Sequence, residues 1–221
     1  MVRRRSQTPT QAVVYGAHAV SQFVESSPQR IIRLLMTERV SNGRLQALAK
    51  RVVAAGIPLA VVAREELEAC TGGGVHQGVV AFVHPRPCGD ENDLEQLLGS
   101  LEEPPFLLVL DGIQDPQNLG ACLRTADAAG VDFVIAPKDR AVGLNATVRK
   151  SASGAAERLP FVQVTNLARS LKQLQDAGLW VTGTAMEGES LYETDLTGSR
   201  VIVMGSEGKG MRRLTREHCD Q

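Results

Sequence analysis

Polar side chains concentrate where a short apolar run ends, in the stretch LLVLDGIQDPQNLGACLRTADAAGVDFVIA at residues 107–136. Gln114, Asp115 and Asn118 follow the apolar run, and Arg124 lies six residues after Asn118. An Arg among small apolar neighbours is unusual, because a buried guanidinium needs polar partners. The alternatives are a surface Arg with its aliphatic stem packed down and an Asn that only caps a helix. Six residues are nearly two turns of a helix, so we expect the side chains of Asn118 and Arg124 on roughly similar sides of one helix.

A second candidate is the glycine-rich GSEGKG at residues 205–210, between an apolar run and a predicted helix. That setting is typical of phosphate-binding loops. The spacing does not match a P-loop, which requires Gly-Lys at 210 and 211, where the chain has Gly210-Met211. ATP is therefore not expected, although such a loop can line a pocket for another ligand. Glu207 either serves that ligand or is a solvated turn residue.

Cysteine and histidine spacing argues against a metal site. Cysteines at 70, 88, 122 and 219 and histidines at 18, 76, 84 and 218 are scattered, with no pair at ligand spacing. We expect reduced, packing cysteines and no metal. The N-terminus lacks the apolar segment of a secretory signal, and no apolar run is long enough to span a membrane. A cytoplasmic protein with no membrane partner is expected.

The net charge of −1 hides an uneven distribution. Residues 1–83 carry ten Lys and Arg against five Asp and Glu, whereas residues 84–105 carry one against six. A basic segment attracts phosphate backbones through counterion release, so residues 1–83 are a candidate nucleic-acid surface. An excess of five charges is also common on solvated faces.

Apolar periodicity predicts strands and helices that alternate along the chain, which favours an α/β fold with a mostly parallel sheet. A parallel pair joined by a helix binds ligands at the carboxyl ends of its strands, where Gln114 and Asn118 are expected. The predicted strands are 12–15, 31–37, 59–62, 79–83, 107–110, 131–136, 161–164, 179–185 and 201–204, and the main predicted helices are 17–27, 43–55, 118–130, 145–159 with a break at 153–154, 166–177 and 211 to the end.

The acidic, proline-containing segment at residues 84–105 predicts a linker between two domains, 1–83 and 106–221. Within the linker, the segment around 94–101 is amphipathic. The first domain ends with TGGGVHQGVVAFV, whose glycines do not match a dinucleotide fingerprint. A loop that approaches another backbone or an RNA is the interpretation we favour.

Two of these segments carry a family resemblance. LDGIQDPQNLGACLRTADAAG and VMGSEGKGMRRLT resemble, in the correct order, the first two signature motifs of the SpoU (TrmH) group of SPOUT RNA methyltransferases. VYGAHAV and VHQGVVA resemble the ribosomal-protein-like α/β domain that binds substrate in many members. With LNATVRKSASGAAE, the combination is most similar to members that methylate a guanosine of bacterial 23S rRNA.

The resemblance implies methyl transfer from S-adenosylmethionine to a ribose 2′-hydroxyl of RNA, with rRNA preferred and tRNA as the alternative. It assigns Arg124 to activation of the hydroxyl, and Asn118 and Glu207 to orientation of that Arg and the RNA. Thr184 and Gly205 would border the methyl donor. Arg149 and Lys150, together with the basic segment, would contact phosphates.

The family's third motif, which completes the cofactor pocket, a trefoil knot and much of a dimer interface, is not found before Gln221. We therefore expect a truncated member with an incomplete knot, whose full-length parent is a homodimer. Two rival hypotheses stay open. One is a non-catalytic RNA-binding protein, and the other, disfavoured by the loop spacings, is a generic nucleotide-binding enzyme.

Overall fold

A computed structural model describes residues 11–38, 43–101 and 104–221. The chain divides into two compact units between Pro87 and Cys88. Part of the predicted basic segment, and the N-terminal region in which a secretory signal was sought, lie outside the described residues. The basic residues concerned are Arg3, Arg4, Arg5 and Arg39.

The first unit is a four-stranded mixed sheet with helices on both faces. Its strands are arranged in the order β1-β4-β2-β3, with β4 antiparallel to both neighbours and β2 parallel to β3. The elements are β1 (Ala12–Tyr15), α1 (Ala17–Ser26), β2 (Ile31–Thr37), α2 (Gly43–Ala54), β3 (Leu59–Val62), α3 (Arg64–Thr71) and β4 (Val79–Val83).

Apolar spacing explains why these helices pack where they do. α1 and α2 place Phe23 and Leu48 against one face of the sheet, in a core shared with the strands. α3 contributes Leu67 to the other face, where it packs with Leu35 and Val80. The sequence did not predict α3, because this short helix buries few apolar side chains and so shows little periodicity.

The second unit is a five-stranded parallel sheet in the order β7-β6-β5-β9-β8. This confirms the predicted α/β class with a mostly parallel sheet. The elements are α4 (Glu91–Gly99), β5 (Phe106–Asp111), α5 (Pro116–Ala128), β6 (Phe133–Pro137), α6 (Ala146–Ser151), α7 (Ala155–Arg158), β7 (Phe161–Val164), α8 (Leu167–Asp176), β8 (Trp180–Gly183), β9 (Arg200–Gly205) and α9 (Arg213–Glu217).

Most of the segment expected to be an acidic linker is folded into the second unit. Gly89 bridges to β7, and α4 buries Leu94 completely in the core beneath the sheet. The apolar side chains of α4 are spaced so that one face of the helix packs while its acidic face remains in water. Acidic composition therefore marked an amphipathic helix in this segment.

The strand order places a topological switch point between β5 and β9. From β5, the chain first builds outward through β6 and β7, and later returns to pair β9 with the opposite edge of β5. Open α/β sheets bind ligands in the crevice at the carboxyl ends of such strands. The segments that follow β5 and β9 are those that contain Asn118 and Glu207.

Candidate functional site

A cavity of about 660 Å³ lies at this switch point, between the segment after β5 and the glycine loop after β9. Polar and charged side chains line it together with glycines and apolar side chains. The lining residues are Gly112, Ile113, Gln114, Asp115, Asn118, Ala121, Cys122, Gly205, Ser206, Glu207 and Lys209. The structure therefore brings together Asn118, Glu207 and Gly205, three of the residues singled out from the sequence.

Asn118 does not cap its helix. The cap is Asp115, whose carboxylate accepts a hydrogen bond from the Asn118 backbone N–H at 2.9 Å, and Pro116 occupies the first helical turn. The Asn118 side chain is therefore available for another partner. Its Nδ2 donates a hydrogen bond to Oε2 of Glu207 at 3.2 Å. Both side chains are exposed at the cavity, so a ligand can reach this amide–carboxylate pair.

The loop that presents Glu207 is a closed turn. Ser206 and Gly210 exchange two backbone hydrogen bonds, of 3.0 and 2.9 Å. A Cβ atom on Gly205 would lie 2.1 Å from the backbone carbon of Gly210, so the two chain segments can cross only at a glycine. Gly205 is thus explained by the close approach of two backbone segments within the loop, whereas Gly208 and Gly210 have positive φ angles.

Arg124 is not among the residues that line the cavity. Six residues advance an α-helix by about 600°, which leaves Asn118 and Arg124 about 120° apart around α5 and corrects the expectation of similar sides. The Arg124 side chain is exposed, and Nη1 donates a hydrogen bond to the carbonyl oxygen of Ser151 at 3.2 Å. It therefore lies on the face of α5 that meets α6, at the surface.

Arg149 and Lys150, expected as neighbouring phosphate contacts, have opposite environments. Arg149 is 8% exposed, and its guanidinium forms a buried ion pair with Glu157. Burial and this ion pair do not favour the expected phosphate contact by Arg149. The pair joins α6 to α7 across the break at Ser153 and Gly154. Lys150 is exposed.

Thr184 follows β8 directly, beside the carboxyl end of β9. Its backbone N–H and its hydroxyl both donate to the carbonyl oxygen of Val203, at 2.9 and 3.1 Å. Thr184 is exposed but does not line the cavity that contains Asn118 and Glu207. It therefore borders the same sheet edge one strand further along.

The sequence did not identify Asp111 as important, since Asp next to Gly is ordinary in a turn. The structure places its carboxylate in the interior, with a fully buried side chain that accepts hydrogen bonds from the backbone N–H and Nε of Arg212. A charged residue directly after a buried strand was the available signal. Lys209, which also lines the cavity, carried no such signal.

The cavity contains neither a reactive thiol nor, among the described residues, a group of metal ligands. Burial raises the pKa of the Cys122 thiol, so this side chain stays protonated near neutral pH and is a poor nucleophile. Across the described ranges, no three His, Cys, Asp or Glu side chains are grouped to hold a metal ion. The chemistry available is hydrogen bonding and charge from Asn118, Glu207 and Lys209.

The first unit contains a larger cavity, of about 820 Å³, beside the glycine-rich turn at residues 72–78. Its lining includes Arg64 but also the carboxylates of Glu38, Glu65 and Glu68. Carboxylates repel phosphates, so size alone does not make this cavity the better anion site. We assign the candidate site to the smaller cavity at the switch point.

The model of the SpoU rRNA Methylase family matches residues 105–221, more than half of the chain and the whole of the β5–β9 sheet. The chain belongs to the SpoU rRNA methylase family. This confirms the resemblance drawn from the two motifs. A second model, described as RNA 2′-O ribose methyltransferase substrate binding, matches residues 13–87 of this SpoU family member.

Relatives of this SpoU methylase are similar over both units. This chain is 52% identical over 210 residues to the 23S rRNA (guanosine-2′-O-)-methyltransferase RlmB of Yersinia pestis. The alignment covers 95% of this chain and 85% of the relative. The protein of the same name from Pseudomonas aeruginosa is 56% identical over 94% of this chain and 84% of its own length. The Escherichia coli K12 protein is 48% identical, over 95% and 86%.

Solved structures share the fold at lower identity. The SpoU methyltransferase AviRb from Streptomyces viridochromogenes, in complex with AdoMet, matches with a TM-score of 0.67 and 21% identity, covering 99% of this chain and 82% of that one. An AdoMet-bound rRNA methyltransferase from Sinorhizobium meliloti gives 0.64 and 21%, over 95% and 76%. Within the described part of this SpoU methylase, no helix is long and apolar enough to cross a membrane.

Proposed function

We propose that this protein transfers a methyl group from S-adenosylmethionine to a ribose 2′-hydroxyl of RNA, and that its substrate is a guanosine of 23S rRNA. The observation that carries the proposal is identity of about half of all positions, across both units, to methyltransferases named for that reaction. Ribosomal RNA is modified where ribosomes are made, so we place the protein in the cytoplasm.

The exposed Asn118 and Glu207 pair supplies the orienting groups for this reaction. A ribose hydroxyl is a poor nucleophile at neutral pH, so its proton must be accepted or the developing alkoxide stabilised as it attacks the methyl group. Glu207 can accept a hydrogen bond from the hydroxyl while Asn118 holds its second oxygen. We assign to this pair the orientation of the reacting ribose.

Arg124 is assigned electrostatic stabilisation of the developing alkoxide and of a neighbouring phosphate. An Arg side chain is protonated under ordinary conditions, and its planar fork matches a phosphate group. Arg124 is exposed on α5, so its guanidinium can exchange the Ser151 carbonyl for RNA by rotation of the side chain. Bound RNA would bring this charge to the ribose held at Asn118.

S-adenosylmethionine supplies an activated methyl group when bound. We assign Thr184 and the backbone at Gly205 to its border, because Thr184 follows β8 and Gly205 ends β9, two adjacent parallel strands at the sheet edge that binds ligands in open α/β folds. They fit this role through exposure of Thr184 and the polar backbone beside it. The cavity at Asn118 and Glu207 then receives the ribose.

The first unit and Lys150 are assigned to RNA binding. The unit matches a substrate-binding model over residues 13–87, and Lys150 is an exposed cation on the second unit. Phosphate contacts of this kind position RNA without reading its sequence. We also propose a homodimer, supported by the exposed apolar side chains of Met186, Leu191 and Tyr192 in the loop between β8 and β9.

The test is transfer of labelled methyl groups to an unmodified 23S rRNA transcript, followed by nucleoside analysis. The expected product is 2′-O-methylguanosine, and a pool of tRNA transcripts serves as the comparison substrate. Methylation of tRNA alone, or of a base in place of the ribose, contradicts the proposal. Calorimetry with S-adenosylmethionine separates an enzyme from an RNA-binding protein, since the latter gives no heat while it retains affinity for RNA.

A further inference from the structure

We propose that Asp111 is a positioning residue, whose buried carboxylate holds Arg212 and thereby fixes the turn that presents Glu207 to Asn118. The catalytic consequence of this inference rests on the proposed function. Its structural part, the restraint on the turn, does not. Asp111 does not line the cavity, so it acts through the loop rather than on a substrate.

Asp111 contacts both ends of the loop that follows β9. As the last residue of β5, it pairs in register with Gly205, the last residue of β9. Its carboxylate accepts one hydrogen bond from the backbone N–H of Arg212, at 2.8 Å, and another from Nε of the same residue, at 2.6 Å. The six residues between Gly205 and Arg212 therefore form a loop whose two ends are both held at Asp111, the end of β5.

Little freedom remains inside that closed segment. Ser206 and Gly210 are joined by two backbone hydrogen bonds, and the backbone of Gly210 and Met211 passes directly against Gly205. Glu207 lies in this turn, so its carboxylate reaches the amide of Asn118 only while the turn keeps its place. Release of Arg212 would leave the returning end of the loop without its side-chain anchor.

The anchor depends on a carboxylate. The Asp111 side chain has no exposed surface, and each of its two oxygens faces a donor on Arg212. In Asp111→Asn, one oxygen is replaced by an NH₂ group that faces an N–H donor, so one hydrogen bond is lost and two donors are opposed. This substitution preserves size and weakens the anchor.

Trypsin tests the restraint without reference to activity, because Lys209 lies within the turn. In Asp111→Asn, we expect cleavage of the Lys209–Gly210 bond, followed by mass spectrometry, to be about fivefold faster than in the unchanged protein, since a released loop opens more often. The matched control is Asp127→Asn, which breaks a partly buried Asp–Arg pair with Arg158 on the same unit. This control lowers the unfolding temperature but leaves that cleavage rate unchanged.

Measurements of kcat and KM test whether the restraint on the loop acts through Glu207. On the rRNA transcript, we expect Asp111→Asn to lower kcat about tenfold with little change in KM, and the double variant with Glu207→Gln to be no slower than Glu207→Gln alone. If the double variant loses kcat by the product of the two single losses, the proposal is overturned. An unchanged cleavage rate in Asp111→Asn overturns it as well. Faster cleavage in a protein that methylates no RNA supports the restraint and rejects the proposed function instead.

Discussion

The side-chain amide of Asn118 donates a 3.2 Å hydrogen bond to the carboxylate of Glu207, 89 residues later in the chain. The amide comes from the first turn of α5 and the carboxylate from the loop after β9, so only the parallel pairing of β5 with β9 brings them together. Since both residues are exposed, the hydrogen bond contributes little to stability and is available to a substrate.

Asn118→Asp places a second carboxylate against Glu207 and removes the donor. We expect kcat on rRNA to fall about 100-fold, because the two charges repel and the ribose loses its orienting group, while the unfolding temperature stays nearly constant. Gln117→Ala, an exposed change on the same helical turn, is the control and should retain full activity. Normal turnover in Asn118→Asp would remove the pair from the site.

How much of this site the sequence could predict depends on whether a contact is local. The strand–helix–strand unit around β5 and the glycine turn after β9 were both recognised, because apolar runs and glycines signal them within a few residues. Asp115 as the true cap, and the side chain of Asn118 left available by it, required the helix start to be known within two residues. Sequence patterns do not fix helix ends that closely.

The sequence also did not predict which charged side chains are buried. Arg149 and Lys150 are adjacent and equally basic in the sequence, yet one forms a buried ion pair with Glu157 and the other is exposed. Asp111 likewise resembles any Asp before a Gly until its partner Arg212 is known, 101 residues away. Partners so distant in the chain follow from tertiary packing, which a single sequence does not specify.

Arg124→Ala should abolish methylation with the fold intact. The side chain is exposed and its hydrogen bond to Ser151 is a surface contact, so we expect a stability change within about 0.5 kcal/mol. Arg124→Lys should restore only part of the activity, because an ammonium lacks the planar fork. Arg169→Ala, an exposed Arg on α8, is the matched control. Near-normal turnover of Arg124→Ala on rRNA would refute the assigned role.

Gly205→Ala should distort the site more than any conservative surface change. The new Cβ would lie 2.1 Å from the carbon of Gly210 and 2.2 Å from the nitrogen of Met211, so backbone must move. We expect a loss of about 2 kcal/mol in the free energy of unfolding, and a kcat at least as low as that of Glu207→Gln. Gly99→Ala, with no atoms within 4 Å of its Cβ, should be near neutral. Urea unfolding and rRNA methylation check both variants.

Glu91 should make stability depend on pH. A hydrogen bond from the Thr165 backbone N–H, with Lys138 nearby, lowers the pKa of the Glu91 carboxyl from 4.5 to about 2. Since the folded-state pKa is the lower one, its stabilisation is full above pH 4.5 and is lost as the pH falls towards 2. Because the carboxylate is partly exposed, we expect Glu91→Gln to cost about 1 kcal/mol at pH 7.

Urea unfolding at several pH values checks this. The difference in unfolding free energy between Glu91→Gln and the unchanged protein should narrow steadily as the pH falls below 4.5. Glu95→Gln, an exposed change on the same helix, is the control and should show no comparable difference. A constant gap between the Glu91 variant and the unchanged protein would mean that the hydrogen bonds to Thr165 and Lys138 do not favour the charged carboxylate.

Arg149 and Lys150 allow stability and RNA binding to be separated at adjacent positions. Arg149→Ala removes the guanidinium that forms a buried ion pair with Glu157, so we expect a loss of about 3 kcal/mol in the free energy of unfolding. Lys150→Ala removes an exposed cation, and should leave the unfolding temperature unchanged while it weakens RNA binding.

The salt dependence of RNA binding distinguishes the loss of a phosphate contact in Lys150→Ala from a general loss of fold. If Lys150 contacts one phosphate, its removal should reduce the slope of log K against log salt by about 1, with similar losses for rRNA and unrelated RNA. An unaltered slope would place Lys150 outside the RNA interface. Because the salt slope counts phosphates and the unfolding free energy reports the buried pair, each measurement addresses one of the two neighbouring side chains.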